Sequence, residues 1–529
     1  MPDELKEIGT KISQQHEANI EEVGMSTTSR PWLAFSALAL TILIVVLDYM
    51  VLNVALPTLQ REMNATISEL QWIADAYILV FAALLMTMGA LADRIGHVPM
   101  LRTGMLIFGI ASLLAAFSAS TWHLVAARAL MGLGAAMIVP ATLALISLIF
   151  PPEQRGKAIG AWGAMNGLGV VLGPLLGGWL LEQYQWGSIF LINIPVIIIS
   201  LIAGFFLIPQ SNVRVHHRID LLGTTLSTIT IFLLVFGIIK SNDAGWSQPS
   251  VYGTLTAALI CGYFFFHWER KTDTPMVDLS LFKNSYLSAG SSSIALMAFS
   301  MYGFIFVLTL YMQLVKEYSP LQTGFRFLPL ALGYAIGTVS SSRNVQQWGT
   351  RAVITISFVG ISVASLFIVF WNAATPFWLI GLNIGLLTFF QGNIMAPSLN
   401  AVLGAMPKGR AGVGSAIGSI SLQVGGALGV AVLGSLLHGS YRSRMNHLLD
   451  SNAFFPIQAL QGAKESLGAA LVVAGGLPVE IGQGLTGLAR AAFMHGWILV
   501  FLAICCVGIS GMAFARKVMP SSEAPLKRQ

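Results

Sequence analysis

The sequence predicts an all-α polytopic membrane protein, in which two six-helix bundles and two inserted helices give fourteen membrane-spanning helices. Three observations predict this fold: the apolar composition, the number of long apolar segments, and the placement of basic residues between them. Of the 529 residues, 55% are hydrophobic and only 10% are charged, and the mean hydropathy is +0.74. These values exclude a water-soluble globular protein of this length. The net charge of +6 is scattered between apolar segments and forms no patch for nucleic acid.

The fourteen helices correspond to fourteen apolar segments. A helix needs about 20 apolar residues to cross roughly 30 Å of hydrocarbon. The segments that meet this requirement are residues 32–56, 70–91, 100–117, 122–148, 156–181, 188–208, 221–239, 251–268, 286–311, 321–340, 352–370, 376–394, 412–437 and 491–515.

The connections between these segments differ in charge, and the difference predicts the orientation. Alternate connections carry basic residues, whereas the short loops between them hold only Arg61, Lys240 and Lys316. Cytoplasmic loops are enriched in Lys and Arg, so we expect both termini in the cytoplasm and an even number of spans. The first thirty residues contain no cleavable targeting pattern, and we expect a multi-pass protein of the bacterial plasma (inner) membrane.

Two pairs of segments resemble each other at an offset of eight helices. Residues 155–178 of the fifth helix resemble residues 410–434 of the thirteenth, and the second helix resembles the tenth. The simplest layout is a polar tail (1–29), an N-terminal bundle (30–208), two inserted helices with linkers (209–285) and a C-terminal bundle (286–529). The last bundle includes a long outer loop (438–490), in which residues 467–478 are too short to span and predict an interfacial or re-entrant segment.

Asp48 and Asp75 are the acidic residues that lie inside long hydrophobic stretches. A carboxylate in hydrocarbon is costly, and its default interpretation is function. Each can hold a proton or exchange it for a positively charged ligand. Arg128 and Arg326 lie at a similar predicted depth, about 9 to 12 Å from the outer face. The alternatives are a purely structural buried ion pair, an arginine that fixes helix packing, and, for Arg326, a side chain that snorkels to the interface.

Three aromatic residues, Tyr49, Trp72 and Tyr77, lie next to these acids. Their ring faces could bind a lipophilic cation. Packing or membrane-interface aromatics are the commoner alternative.

Glycine and proline residues suggest two moving parts. In the fifth helix, glycines three and four residues apart predict a face that another helix approaches closely, and a proline between them bends or loosens the helix. In the cytoplasmic turn after the second helix, an acid and an arginine between glycines suggest a latch, or simply a charged loop that sets orientation. The residues are Gly169, Gly173, Pro174, Gly177 and Gly178 in the helix, and Gly89, Asp93, Arg94 and Gly96 in the turn.

Enzyme motifs are missing from the sequence. It contains no GxxxxGK[ST] phosphate loop, no HExxH and no nucleophile elbow, so we expect no enzyme activity, no ATP hydrolysis, no metal and no cofactor. Transport would then draw its energy from an ion gradient.

Five motifs resemble those of the major facilitator superfamily, in its fourteen-helix drug:proton antiporter branch. They are LDYMVLNVALP (47–57), GALADRIGHVPML (89–101), ARALMGLGAA (127–136), GLGVVLGPLLGG (167–178) and WGSIFLINIP (186–195). The resemblance implies two bundles around a central cavity and a monomer that exports lipophilic, often cationic drugs, antiseptics and dyes in exchange for protons. It further implies proton or cation sites at Asp48 and Asp75, a proton-relay partner at Arg128 and a hinge at Gly173 and Pro174.

Two other functions stay open from the sequence. One is a narrow exporter of a single metabolite or lipid, and the other is a membrane regulator or scaffold that transports nothing.

Overall fold

The computed structural model describes residues 31–63, 65, 67–208, 220–244, 248–272, 275, 279–406, 411–450 and 462–520. No strand occurs in these ranges. Fourteen long helices occur in these ranges, and each overlaps one of the fourteen predicted apolar segments. They are α1 (Pro31–Met63), α2 (Ile67–Ile95), α3 (His97–Ala116), α4 (Thr121–Ile149), α5 (Pro152–Gln183), α6 (Asn193–Leu207), α7 (Leu221–Ala244), α8 (Pro249–Glu269), α9 (Ser285–Leu310), α10 (Leu328–Trp348), α11 (Thr350–Val369), α12 (Phe377–Gly404), α13 (Ala411–Asp450) and α14 (Val479–Val518).

Eleven helices in the described ranges are long and apolar enough to cross a membrane. Shorter apolar stretches, Trp72–Leu85 and Leu222–Ile238, lie in α2 and α7. The all-α membrane fold is therefore confirmed. The number of fourteen spans is consistent with the helices and stays a prediction.

The tenth helix begins differently from its prediction. A seven-residue helix, Pro320–Arg326, comes first, Phe327 follows it, and α10 starts at Leu328. Pro329 lies in the first turn of α10, where a proline is tolerated because its missing N–H would have no helical partner. Arg326 therefore ends a short helix that precedes α10.

The predicted outer loop 438–490 is partly helical. Both α13 and α14 contain 40 residues, so each is about 60 Å long at 1.5 Å per residue and extends beyond the hydrocarbon. Between them, the helix Leu467–Gly475 has 9 residues, too few to span, and buries Leu467, Ala470 and Ala474. Residues 451–461 lie outside the described part of the chain.

The buried apolar side chains form two large clusters. One contains residues from α1 to α6, among them Phe108 and Phe190, and the other contains residues from α9 to α14, among them Phe304 and Trp497. A third, smaller cluster joins α7 to α2 and α13.

The two large clusters use the same helix contacts. Glycines of α5 lie against α1, and Gly425 and Gly429 of α13 lie in the same way against the backbone of Ala295 and Phe299 in α9. This equivalence agrees with the internal similarity between the fifth and thirteenth segments.

Candidate functional site

Asp48 and Arg128 form a fully buried ion pair inside the N-terminal half. Asp48 lies in the middle of α1 and is 1% exposed, and Arg128 lies in α4 and is 0% exposed. A guanidinium nitrogen of Arg128 donates a hydrogen bond to Asp48 Oδ2 at 2.5 Å. Two of the sequence-predicted residues, 80 positions apart in the chain, are therefore in direct contact.

The other carboxylate oxygen of Asp48 is held by a residue that sequence reasoning missed. Asn193, the first residue of α6, donates through Nδ2 to Asp48 Oδ1 at 2.8 Å and to Ser112 Oγ of α3 at 3.0 Å. Both side chains are buried. Asn193 lies within the WGSIFLINIP motif, which was the signal available in the sequence, but an uncharged amide at a helix start looks like an ordinary cap.

Arg128 also contacts α2. Its Nε donates to the backbone oxygen of Ile73 at 3.3 Å, and its guanidinium lies 4.4 Å from the ring centre of Tyr77. The second terminal nitrogen is buried and finds no hydrogen-bond partner among the described residues. The cation can therefore remain partly satisfied by a carbonyl and a ring face if the carboxylate is neutralised.

A small cavity lies between the two halves, and Tyr77 is part of its lining. Its volume is about 50 Å³, and its aromatic and polar lining consists of Tyr49, Tyr77, Phe81, Tyr302 and Gln423. The other lining residues are aliphatic, apart from Gly426. No charged side chain lines it in the described part of the chain. The volume suffices for water molecules, whereas drug-sized ligands occupy roughly 300 Å³ or more.

Three tyrosines connect the cavity to both halves. Tyr49 of α1 stacks on Tyr77 of α2 at 6.4 Å and meets Tyr302 of α9 edge-on at 6.3 Å. The hydroxyl of Tyr77 is buried and finds no partner among the described residues. Tyr77 thus separates the Asp48–Arg128 pair from the cavity and touches both.

Two other predicted residues, Trp72 and Arg326, are not brought to this pair. Trp72 packs on Phe236 of α7 at 5.5 Å, outside the cavity lining. Arg326 lies 3.7 Å from the ring centre of Tyr318 and donates to the backbone oxygen of Gln322. Asp75 lies on α2, but its side chain is outside the described part of the structure. The expected layer of four ionisable groups is therefore seen only for Asp48 and Arg128.

The glycine face of α5 packs directly on the part of α1 that carries Asp48. A Cβ on Gly169 would lie 2.8 Å from Val46 Cβ, and one on Gly173 would overlap Met50 Cβ. Gly177 continues this face against Val51, and Gly178 is buried. The predicted close approach of another helix is therefore present in the structure.

Pro174 lies on the side of α5 that meets the C-terminal half. A Cβ on Gly324, in the helix Pro320–Arg326, would lie 2.9 Å from the carbonyl carbon of Pro174 and 2.8 Å from Leu175 N. The Gly173–Pro174 segment thus contacts the Asp48-bearing helix on one side and the C-terminal half on the other.

The turn between α2 and α3 shows one clear requirement for glycine. Gly96 has φ +108°, a conformation that residues with a side chain rarely adopt. Gly89 has more room, since its nearest contact would be Pro140 Cβ at 3.9 Å. Arg94 is exposed and makes no ion pair with any described side chain, and the side chain of Asp93 is not described. The predicted latch stays a prediction.

Comparisons with known proteins agree with this architecture. The family model described as Major Facilitator Superfamily matches residues 38–430. The chain is 34% identical to the methyl viologen resistance protein SmvA of Salmonella typhimurium, over 88% of this chain and 93% of the relative. It is 30% identical to the tetracenomycin C resistance and export protein of Streptomyces glaucescens, over 94% of each chain.

Among solved structures, the fold resembles a bacterial homologue of the human lysosomal transporter Spinster in an inward-facing, unoccupied conformation. The TM-score is 0.64, the sequence identity is 16%, and the match covers 94% of this chain and 100% of that one. At this identity the likeness supports the fold alone.

Proposed function

The chain belongs to the major facilitator superfamily, and we propose that it exports lipophilic, cationic drugs, antiseptics or dyes across the plasma membrane in exchange for protons. The observation that carries this proposal is the Asp48–Arg128 pair, buried behind the wall of an aromatic, charge-free cavity. Two relatives are named for resistance, one of them also for export, which supports the direction of transport. We propose a monomer, since described residues of one chain line the cavity on both sides, and we propose cytoplasmic termini because the basic residues fall in alternate connections.

Proton binding would act on the ion pair. Ionised Asp48 is compensated by Arg128 and Asn193, and protonation removes the charge that attracts Arg128. Arg128 keeps the Ile73 carbonyl and the Tyr77 ring as partners, so it can shift toward them and still have its charge partly compensated. A proton on Asp48 thus changes the position of a cation that touches the cavity wall.

Substrate binding would act on the same wall. The tyrosine ring faces attract an organic cation, and the aliphatic lining favours its apolar body. Two unit charges roughly 7 Å apart repel by about 2 kcal/mol at an effective dielectric constant near 20. A cationic substrate on Tyr49 and Tyr77 would therefore disfavour a second positive charge, the proton, on Asp48. Exclusion of the proton by the substrate is the coupling that an antiporter requires.

Movement of the two halves would admit the substrate. The cavity of about 50 Å³ is too small for a drug, so the halves must separate before one binds. The Gly173–Pro174 segment contacts both α1 and the C-terminal half. A displacement of the halves at this segment would therefore reach the backbone beside Asp48.

The test is Asp48→Asn, measured as substrate-driven proton movement in vesicles that contain the purified protein. We expect it to abolish the movement, because an amide cannot exchange a proton. Removing one partner of a buried ion pair costs about 3–5 kcal/mol, so thermal unfolding must show that the variant is folded.

The matched control is Glu182→Gln, which neutralises an exposed carboxylate at the end of α5 and should leave coupling intact. Asp48→Glu keeps the acid and should retain part of the coupling. Normal proton movement in a folded Asp48→Asn protein would remove Asp48 from the mechanism.

A further inference from the structure

Helix α7, which has no part in the exchange described above, lies across the seam between the two halves. Its residues Val235 and Ile238 are buried in one cluster with Leu79 and Ala82 of α2 and with Ala427 and Ala431 of α13. The inserted helix is therefore packed against both halves at once.

The cavity lies directly behind this seam. Ala82 and Ala427 belong to the cluster with α7, and both also line the cavity. Alanine side chains are too short to close a gap between two helices. The larger Val235 and Ile238 of α7 cover it, so α7 forms the wall between the cavity and the surrounding lipid at this level.

On the α2 side, α7 is attached by specific contacts. The hydroxyl groups of Thr87 and Thr228 are hydrogen-bonded at 2.8 Å. Trp72 packs on Phe236 at 5.5 Å, and Phe236 in turn stacks on Phe232 at 5.8 Å within α7. Breaking this side would cost a hydrogen bond and an aromatic contact.

On the α13 side, the contacts are weaker. They consist of aliphatic contacts of Ala427 and Ala431, with Leu428 and Val432 packed beside them, and a hydrogen bond from Ser435 Oγ to the backbone oxygen of Ile238, whose length of 3.4 Å is beyond the usual range. If the halves move apart at this seam, α7 stays with α2 and separates from α13.

We propose that α7 is a lateral gate. When its contact with α13 breaks, the cavity opens directly to the bilayer, and lipophilic substrates enter from the membrane. The inserted helix α7 thereby acquires a function that the two bundles alone lack. This proposal concerns access to the cavity and can be tested without transport.

The experiment measures how fast a cysteine in the cavity reacts with a reagent dissolved in the lipid. In a background without Cys261, Cys505 and Cys506, V430C places a reporter thiol in the cavity lining. Either of two disulfides is then added. T87C/T228C links α7 to α2, and I238C/S435C links α7 to α13, at positions in contact in the structure.

The probes are pyrene maleimide, which partitions into the bilayer, and a charged, water-soluble methanethiosulfonate. The labelling rate is proportional to the fraction of protein molecules whose gate is open. We therefore expect the α7–α13 link to lower the rate of labelling by pyrene maleimide about tenfold or more. The same link should leave the water-soluble reagent nearly unaffected, and the α7–α2 link should slow neither reagent. Reduction of the disulfide should restore the rate.

Three results would overturn the gate: no slowing by the α7–α13 link, equal slowing by both links, or equal slowing of both reagents. The last would mean that the link only prevents general opening of the halves. Because labelling requires no proton exchange, failure of the gate is distinguishable from failure of the antiport proposal.

Discussion

The Asp48 carboxylate is compensated on both oxygens by buried side chains from two other helices, Arg128 of α4 and Asn193 of α6. A buried ion pair contributes little net stability, because desolvation of the two charges offsets their attraction. A pair of this kind is better explained by a requirement to change its charge state. Its contact with Tyr77 carries that change to the cavity wall.

At the residue scale, the first prediction concerns the shape of the cation. Arg128→Lys keeps the charge but loses the planar group that serves Asp48, the Ile73 carbonyl and the Tyr77 ring together. We expect efflux of a fluorescent cationic dye to fall by about tenfold or more, which corresponds to about 1.4 kcal/mol. The matched control is Arg326→Lys, since Arg326 packs on Tyr318 away from the pair and should retain most activity. Equal losses in the two variants would contradict the assignment.

A second prediction concerns Asn193. Asn193→Leu removes the donor to Asp48 Oδ1 and leaves a buried carboxylate oxygen without this partner, at a cost of about 1–3 kcal/mol. We expect a lower unfolding temperature and reduced substrate-driven proton movement. Ser112→Ala removes only the second acceptor of Asn193 and should have the smaller effect on both measurements. A larger effect of Ser112→Ala would show that Asn193 acts elsewhere.

The sequence predicted Asp48, Arg128, Tyr49 and Tyr77 of this site and missed Asn193 and Tyr302. Asp48 and Arg128 stand out because charge is rare and costly in an apolar helix. Asn193 carries no charge, and Tyr302 lies on α9, some 250 residues from Asp48, so neither is marked in the sequence as a neighbour of the ion pair. Their roles depend on which helices become neighbours.

At the element scale, the α5 glycine face allows a prediction with a matched control. Gly173→Ala would overlap Met50 Cβ and push α5 away from α1, whereas Gly163→Ala meets nothing within 4 Å. Alanine is favoured over glycine in a helix interior by about 1 kcal/mol, so Gly163→Ala should be neutral or stabilising. Thermal unfolding in detergent should show a clear loss for Gly173→Ala only. Similar unfolding temperatures for the two variants would mean that the α1–α5 contact is looser than described.

The apolar pattern located the helices but not all of their ends. Hydropathy detects the part of a helix that lies in hydrocarbon, and α13 and α14 continue well beyond it. The extensions are held by contacts that leave no hydropathy signal, such as the Tyr441 hydroxyl bonded to the Ala463 carbonyl. The start of α10 was placed too early, because Pro329 ends the preceding helix at Arg326.

At the scale of the whole molecule, two clusters of buried side chains, one in each half, meet around a cavity that is too small for a drug. Internal similarity predicted the relation between the halves, and the equivalent glycine contacts of α5 and α13 agree with it. The position of α7 across the seam was not predictable, since an inserted apolar segment carries no information about its neighbours.

The proposed energy source gives a further prediction. The chain has no phosphate-binding loop, so dye efflux in intact cells should stop when a protonophore collapses the proton gradient. Depletion of ATP with the gradient maintained by respiration should leave efflux unchanged. Efflux that follows ATP instead would exclude proton antiport by this chain alone.

The most direct test of the central claim, that substrate and proton exclude each other through Asp48, is the release of protons from purified protein in weakly buffered detergent solution when a cationic dye is added. Across a range of pH, the wild-type protein should release protons on binding. The Asp48→Asn protein should bind the dye, measured by fluorescence, and release none. Undiminished release from a folded Asp48→Asn protein, or binding without release in the wild type at every pH, would contradict the account.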